Sequence, residues 1–258
     1  MTEAEQIFKE GSQTYYYSSK FFPQATKQAI TTLYAFVRVA DDFVDDIPQD
    51  PDGFYAFRED YERDHPRQPI VREYHALESA YEFEPSWTRA FLDAMEQDLS
   101  KQRYEDHDDL QSYMYGSAEV IGLMITRIFN VHGEDRSARH LGRGMQYINF
   151  IRDVAEDQAL GRTYIPEVVL EEHGLPALSE QAARNNPEAF RSLIRAETNR
   201  GKTWLANGRS GFDEIPWRER AAVATATDMY AWTADKVARR PFRIYDETIK
   251  PSTPRILA

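Results

Sequence analysis

The sequence predicts an all-helical protein, and three observations carry that expectation. Apolar residues recur at helical spacing through most of the chain, and the short apolar–polar alternation of strands is scarce. The 13 prolines and 12 glycines fall mostly between these periodic segments. The run from Val120 to Asn130 is apolar nearly all round, as a buried central helix is. No repeat of fixed period, low-complexity linker or shift of composition divides the chain. Residues 1–258 are therefore expected to form a single all-α domain with an irregular basic tail from about residue 241.

Each helix has its own signal. Residues 3–10 form a short leading helix. Pro23 suits the first position of a helix that carries Ala29, Ile30, Leu33, Tyr34, Val37, Ala40 and Val44 and ends before Pro48. Residues 52–64 and 68–82 predict two more. Residues 85–103 place Trp87, Phe91, Leu92, Met95 and Leu99 at helical spacing. Asp106 or Asp108 can cap a helix running to about Asn130, where His132-Gly133 breaks the pattern. Residues 135–158 read as one long helix stopped by Gly161, and 166–172 as a short one. Asn186-Pro187 opens a helix to about Asn207, and Ile215-Pro216 opens the last, to about Arg240.

Composition narrows the function. The net charge is −12 and no basic stripe is present, which excludes nucleic acid as a partner. There is no cysteine, so thiolate catalysis and zinc–thiolate sites are excluded. The six histidines are scattered without ligand spacing. The polar start MTEAEQIFKEGSQ does not read as a signal peptide, and no apolar run approaches a membrane span. A cytoplasmic protein is expected, with peripheral membrane contact left open.

Two acidic rows stand out. In RVADDFVDD, Arg38–Asp46, Asp41 and Asp45 share one helix face and Asp42 and Asp46 the next. Like charges at this spacing cost a helix roughly 0.2–0.5 kcal/mol per pair, unless a cation lies between them. The second row is Asn149, Asp153 and Asp157, at i, i+4 and i+8 on one face, with Gln146 extending it. Either row alone is equally a solvated helix face. Facing each other across a bundle, the two would make an oxygen cage suited to magnesium and a diphosphate. Arg38, Arg152 and Arg162 flank the rows with guanidinium groups that bind phosphate oxygens.

At LYAFVRVADDFVDD (Leu33–Asp46) and MQYINFIRDVAEDQALGRTYIP (Met145–Pro166) the chain resembles the squalene/phytoene synthase family. A weaker third match runs through Met95–Leu99 and Arg103-Tyr104 to YMYGSAEVIGLMI, Tyr113–Ile125. The likeness covers residues 11–166 closely and extends loosely to about 245. It implies the isoprenoid synthase fold, a helical bundle with a central cavity, and head-to-head prenyl transfer supported by Mg2+, with Mn2+ as a substitute. By the resemblance, Asp41, Asp45, Asn149, Asp153 and Asp157 hold the metal. Tyr34, Arg38, Gln146 and Arg152 contact diphosphate and substrate. Tyr115 and Tyr164 sit near the reacting carbons, and Tyr230 touches substrate. Ser12 and Thr14 belong to a flap over the diphosphate. The chain departs from the family at Thr14-Tyr15, where Ser-Phe is usual, at Gly11, often a polar position, and at Glu119, where a small residue is common.

By the resemblance, Ser19 and Thr31, the latter ten residues before Asp41, stand where the family's thirty-carbon bacterial members carry bulky aromatics, which implies a longer tunnel for the prenyl chain. Two geranylgeranyl diphosphates would then give phytoene through a cyclopropylcarbinyl diphosphate, with no NADPH required. The alternatives are two farnesyl diphosphates giving squalene, dehydrosqualene or hydroxysqualene, or a family member without catalysis.

Overall fold

The structure is a computed structural model that describes residues 3–11, 19, 22–133 and 135–251. Its helices are α1 (Glu3–Gly11), α2 (Gln24–Asp45), α3 (Pro51–Tyr61), α4 (Pro69–Ala80), α5 (Pro85–Gln97), α6 (His107–Met114), α7 (Val120–Ile128), α8 (Asp135–Arg152), α9 (Val154–Ala159), α10 (Glu167–Glu172), α11 (Glu180–Asn185), α12 (Pro187–Gly208), α13 (Trp217–Arg239) and α14 (Arg243–Asp246). Among the described residues there is no β-strand; Arg103 and Thr163 form one isolated parallel bridge. None of these helices is long and apolar enough to cross a membrane.

The local chemistry explains the starts. Proline is the first residue of α3, α4, α5 and α12, where a missing N–H costs nothing. Asp50 Oδ1 accepts from Gly53 N at 2.9 Å, and Asp106 Oδ1 accepts from Asp108 N and Asp109 N. Four elements differ from expectation. A π-helical turn, Tyr115–Glu119, separates α6 from α7, and Asp153 (φ −97°, ψ 15°) separates α8 from α9. The short helix α11 has no expected counterpart; Ser179 Oγ caps it by accepting from Ala182 N at 3.3 Å. The tail forms α14 over residues expected to be irregular.

Helix α8 lies at the centre, packed against α7, α12 and α13 and against the π-turn. The approach there is close: a Cβ on Gly142 would lie 2.5 Å from the Ala118 carbonyl oxygen, and one on Gly116 would lie 2.2 Å from that of Ala90. Glycine at these two points lets α5, the π-turn and α8 meet backbone to backbone. The main buried cluster runs from Ala4 on α1 to Ile249. On its α2 side Phe36 stacks on Tyr74 at 3.7 Å between centroids. The packing holds the C-terminal end of α2, the end of α5 and the α8–α9 junction around one opening.

Candidate active site

That opening is a cavity of about 850 Å3. On one wall are Tyr34, Arg38, Asp41 and Asp45 of α2. Arg38 Nη1 donates to Asp41 Oδ2 at 3.2 Å, and Nη2 lies 2.5 Å from Asp42 Oδ1. Burial and the neighbouring Asp45 push the Asp41 carboxyl up to about 8, against the pull of Arg38. Its side chain is 31% exposed and lines the opening. Asp42 and Asp46 do not line the cavity, and Asp46 is exposed.

The opposite wall is the α8–α9 junction, with Gln146, Asn149, Arg152, Asp153, Glu156 and Asp157. The helix breaks at Asp153, yet its i, i+4 bonds carry across: Asp153 N donates to Asn149 O and Asp157 N to Asp153 O. The three oxygen-bearing residues therefore keep one face. Arg152 pairs with Asp153 at two points, Nε to Oδ1 at 2.6 Å and Nη2 to Oδ2. Burial, then Asp153 and Asp45, push the Asp157 carboxyl up to about 8. Asn149 Nδ2 donates to Gln146 Oε1 at 3.4 Å, while Asn149 Oδ1 is buried and accepts no hydrogen bond among the described residues.

The floor is aromatic. Tyr164 stacks on Phe150 at 4.1 Å and lies beside Tyr104 and Tyr113. Tyr113 Oη and Tyr164 Oη donate to the two oxygens of Asp98, at 2.6 and 2.9 Å. Asp98, Tyr113, Glu156 and Lys250 line the cavity as well, beyond the expected site residues. Asp98 was visible only as part of the weakest matching segment, and Lys250 only as part of a basic tail.

An apolar cavity of about 300 Å3 adjoins the opening and shares Tyr34, Gln146, Asn149 and Tyr230 with it. Its wall includes Phe22, Ile30, Val37, Ile125, Phe129 and Val223.

Four expected site residues line neither cavity. Arg162, expected at the diphosphate, is only 3% exposed and lines neither cavity. Its donors are taken by Asp45 Oδ1 at 2.6 Å, Tyr164 Oη at 3.3 Å, Val44 O and Asp98 O at 2.9 Å. Tyr115 lines neither cavity; Tyr113, about 200° away on a helix, faces the site and Tyr115 turns to the Arg139 guanidinium, 5.2 Å above its ring. Thr31 and Ser19 are buried but do not line the apolar cavity. At about 100° per residue Thr31 is rotated roughly 80° from Asp41, whereas Ile30 and Tyr34 lie within about 20° of it. Ser12 and Thr14 lie outside the described residues.

The donor set fits a hard divalent cation. All its donors are oxygens, one of them Asn149 Oδ1, which has no partner among the described residues, and the charge of Asp45 raises the carboxyls of both Asp41 and Asp157. Among the described residues no three carboxylates or imidazoles converge on one point. Magnesium is bound by one or two carboxylates and completes its shell with water and phosphate oxygens.

An all-helical bundle with a carboxylate-lined mouth over an apolar cavity is the architecture of an isoprenoid synthase. Residues 8–256 match the squalene/phytoene synthase family model, and the chain belongs to that family. It is similar to a 15-cis-phytoene synthase of Pantoea ananas, 26% identical over all of this chain and 88% of the relative. It is also similar to a phytoene synthase of Thermus thermophilus, 29% identical over 90% of this chain and 81% of the relative. Among solved structures, a dehydrosqualene synthase superposes with a TM-score of 0.89 at 23% identity, covering 98% of this chain and 91% of that one. Squalene synthase HpnC from Alicyclobacillus acidocaldarius gives 0.82 at 22%, covering 93% of each. The chain is a prenyl transferase of the head-to-head kind.

Proposed function

We propose that the protein condenses two geranylgeranyl diphosphates to phytoene, releasing two diphosphates. The observation that carries this reading is the shared wall of the two cavities. Tyr34, Gln146, Asn149 and Tyr230 border both the acidic opening and the apolar space, so a diphosphate and its chain fit one continuous compartment. The choice of a twenty-carbon chain is supported by relatives named as phytoene synthases.

Asp41, Asp45, Asn149, Asp153 and Asp157 are the proposed ligands for Mg2+ or Mn2+. The bound cation supplies positive charge to the leaving diphosphate. Arg38 and Arg152 present guanidinium groups at the mouth, each paired with a carboxylate it can share with a phosphate oxygen. Ionisation of one substrate leaves an allylic cation, which the double bond of the second attacks. Proton loss then gives the cyclopropylcarbinyl diphosphate. A second ionisation, rearrangement and proton loss give the hydrocarbon, and no reductant is consumed. The apolar cavity keeps water from the cation. The rings of Phe150 and Tyr164, both lining the opening, offer it a quadrupole worth about 2 kcal/mol when desolvated. Peripheral contact with a membrane is proposed for release of the insoluble product.

The test is incubation of the purified protein and magnesium with geranylgeranyl or farnesyl diphosphate, followed by product analysis. A forty-carbon hydrocarbon formed preferentially from the first is expected. Preferential turnover of farnesyl diphosphate to a thirty-carbon product would overturn the substrate assignment.

A further inference from the structure

Asp98 ends α5, is 5% exposed, and belongs to neither acidic row. Every polar atom it offers has a partner. Its carboxylate accepts from Tyr113 and Tyr164, and its carbonyl accepts from Arg162 Nη2 at 2.9 Å and from Gln49 Nε2 at 3.0 Å. Both donors to that carbonyl also reach α2. Gln49 Nε2 donates to Val44 O at 2.6 Å, and Arg162 donates to Val44 O and to Asp45 Oδ1. The end of α5 is thereby tied to the end of α2, one residue from the carboxylate that faces the opening.

Charge matters as much as the ties. Arg162 Nη1 lies 2.6 Å from Asp45 Oδ1 and 3.9 Å from Asp98 Oδ1. One guanidinium is therefore shared between a carboxylate at the mouth and a carboxylate beneath it. In a buried setting such pairs interact strongly. If Asp98 carried no charge, the whole of the Arg162 charge would fall on Asp45 and compete with any cation there.

We infer that Asp98 is a positioning residue of the active site: it shares the Arg162 charge so that Asp45 stays available to a cation, and it orients the Tyr164 hydroxyl in the aromatic floor. The inference rests on the proposed role of Asp45 as a magnesium ligand. Groups behind a metal ligand commonly change metal affinity or activity by about 10–100-fold when removed.

The experiment measures magnesium-dependent binding of inorganic diphosphate by calorimetry, alongside turnover and thermal melting. Asp98→Asn keeps the shape, removes the charge and leaves an acceptor for only one tyrosine. Its half-saturating magnesium concentration should rise roughly tenfold, with turnover falling by a similar factor. Tyr113→Phe keeps the charge and frees Oδ2 to close on Arg162, so its half-saturating concentration should fall, by roughly twofold. A purely architectural Asp98 would lower the melting temperature and leave both concentrations at the wild-type value. A folded Asp98→Asn protein with wild-type magnesium dependence overturns the inference. If Asp98→Asn does not fold, a Tyr113→Phe protein at or above the wild-type concentration overturns it. A wild-type chain that binds no diphosphate with magnesium overturns the proposed function first, and this inference with it.

Discussion

Arg162 Nη1 donates to Asp45 Oδ1 at 2.6 Å across 117 positions of sequence. Both expected roles, a metal ligand and a diphosphate-binding arginine, meet in that bond, and only one residue of the two faces the opening. Arg162→Met removes the cation that neutralises Asp45 and Asp98. Losing one partner of a buried pair costs about 3–5 kcal/mol, and the 38% exposure of the Asp45 side chain places this case at about 3. Urea unfolding checks it. A surface arginine that only touched diphosphate would leave the midpoint unchanged.

Glu119 is fully buried on the π-turn, where it departs from the small residue common in the family. It accepts from Arg139 Nε and Arg143 Nε, each at 2.6 Å. The Arg143 side chain is 15% exposed and Arg139 43%, so most of the effect belongs to Arg143. Glu119→Ala strands a buried guanidinium and should cost roughly 3 kcal/mol of unfolding free energy. Glu119→Ala with wild-type stability would show that the departure is a neutral replacement.

Asp60 is buried at the α3–α4 connection, where its carboxylate accepts from Arg67 N and Gln68 N. Burial pushes its carboxyl up, but the two backbone amides and the nearby arginines outweigh it and hold the carboxyl below the usual aspartate value. A depressed folded-state value gives stability that is present above the unfolded value, near 3.9, and is lost as the pH falls through the folded value. Asp60→Asn should therefore be less stable than wild type at neutral pH, with a gap that narrows between about pH 5 and pH 3. A gap that widens in acid would contradict the sign.

Much of this was legible in the chain. Prolines mark the starts of four helices because their ring fits the first helical position. The two acidic rows are legible because i, i+4 spacing survives even where the backbone breaks at Asp153. The side to which a residue turns is harder to read. Depth along α2 suggested Thr31 for the tunnel, but rotation about the axis brings Ile30 there instead. The π-turn has no sequence signature of its own, so Tyr115 and Tyr113 could not be told apart by spacing. Asp98 and Arg162 act through partners up to 118 positions away, and no local pattern records such contacts.

Release of diphosphate from geranylgeranyl diphosphate by Asp41→Ala, set beside its helical circular dichroism, tests the central claim most directly. Asp41 lies at the mouth and, among the described residues, its carboxylate accepts from Arg38 on its own helix alone, so alanine should leave the helical signal intact. Magnesium-dependent release should fall by about a hundred- to a thousandfold, the scale seen when a transition-state charge loses its partner. A folded Asp41→Ala protein that releases diphosphate at the wild-type rate would contradict the assignment of this opening as the active site.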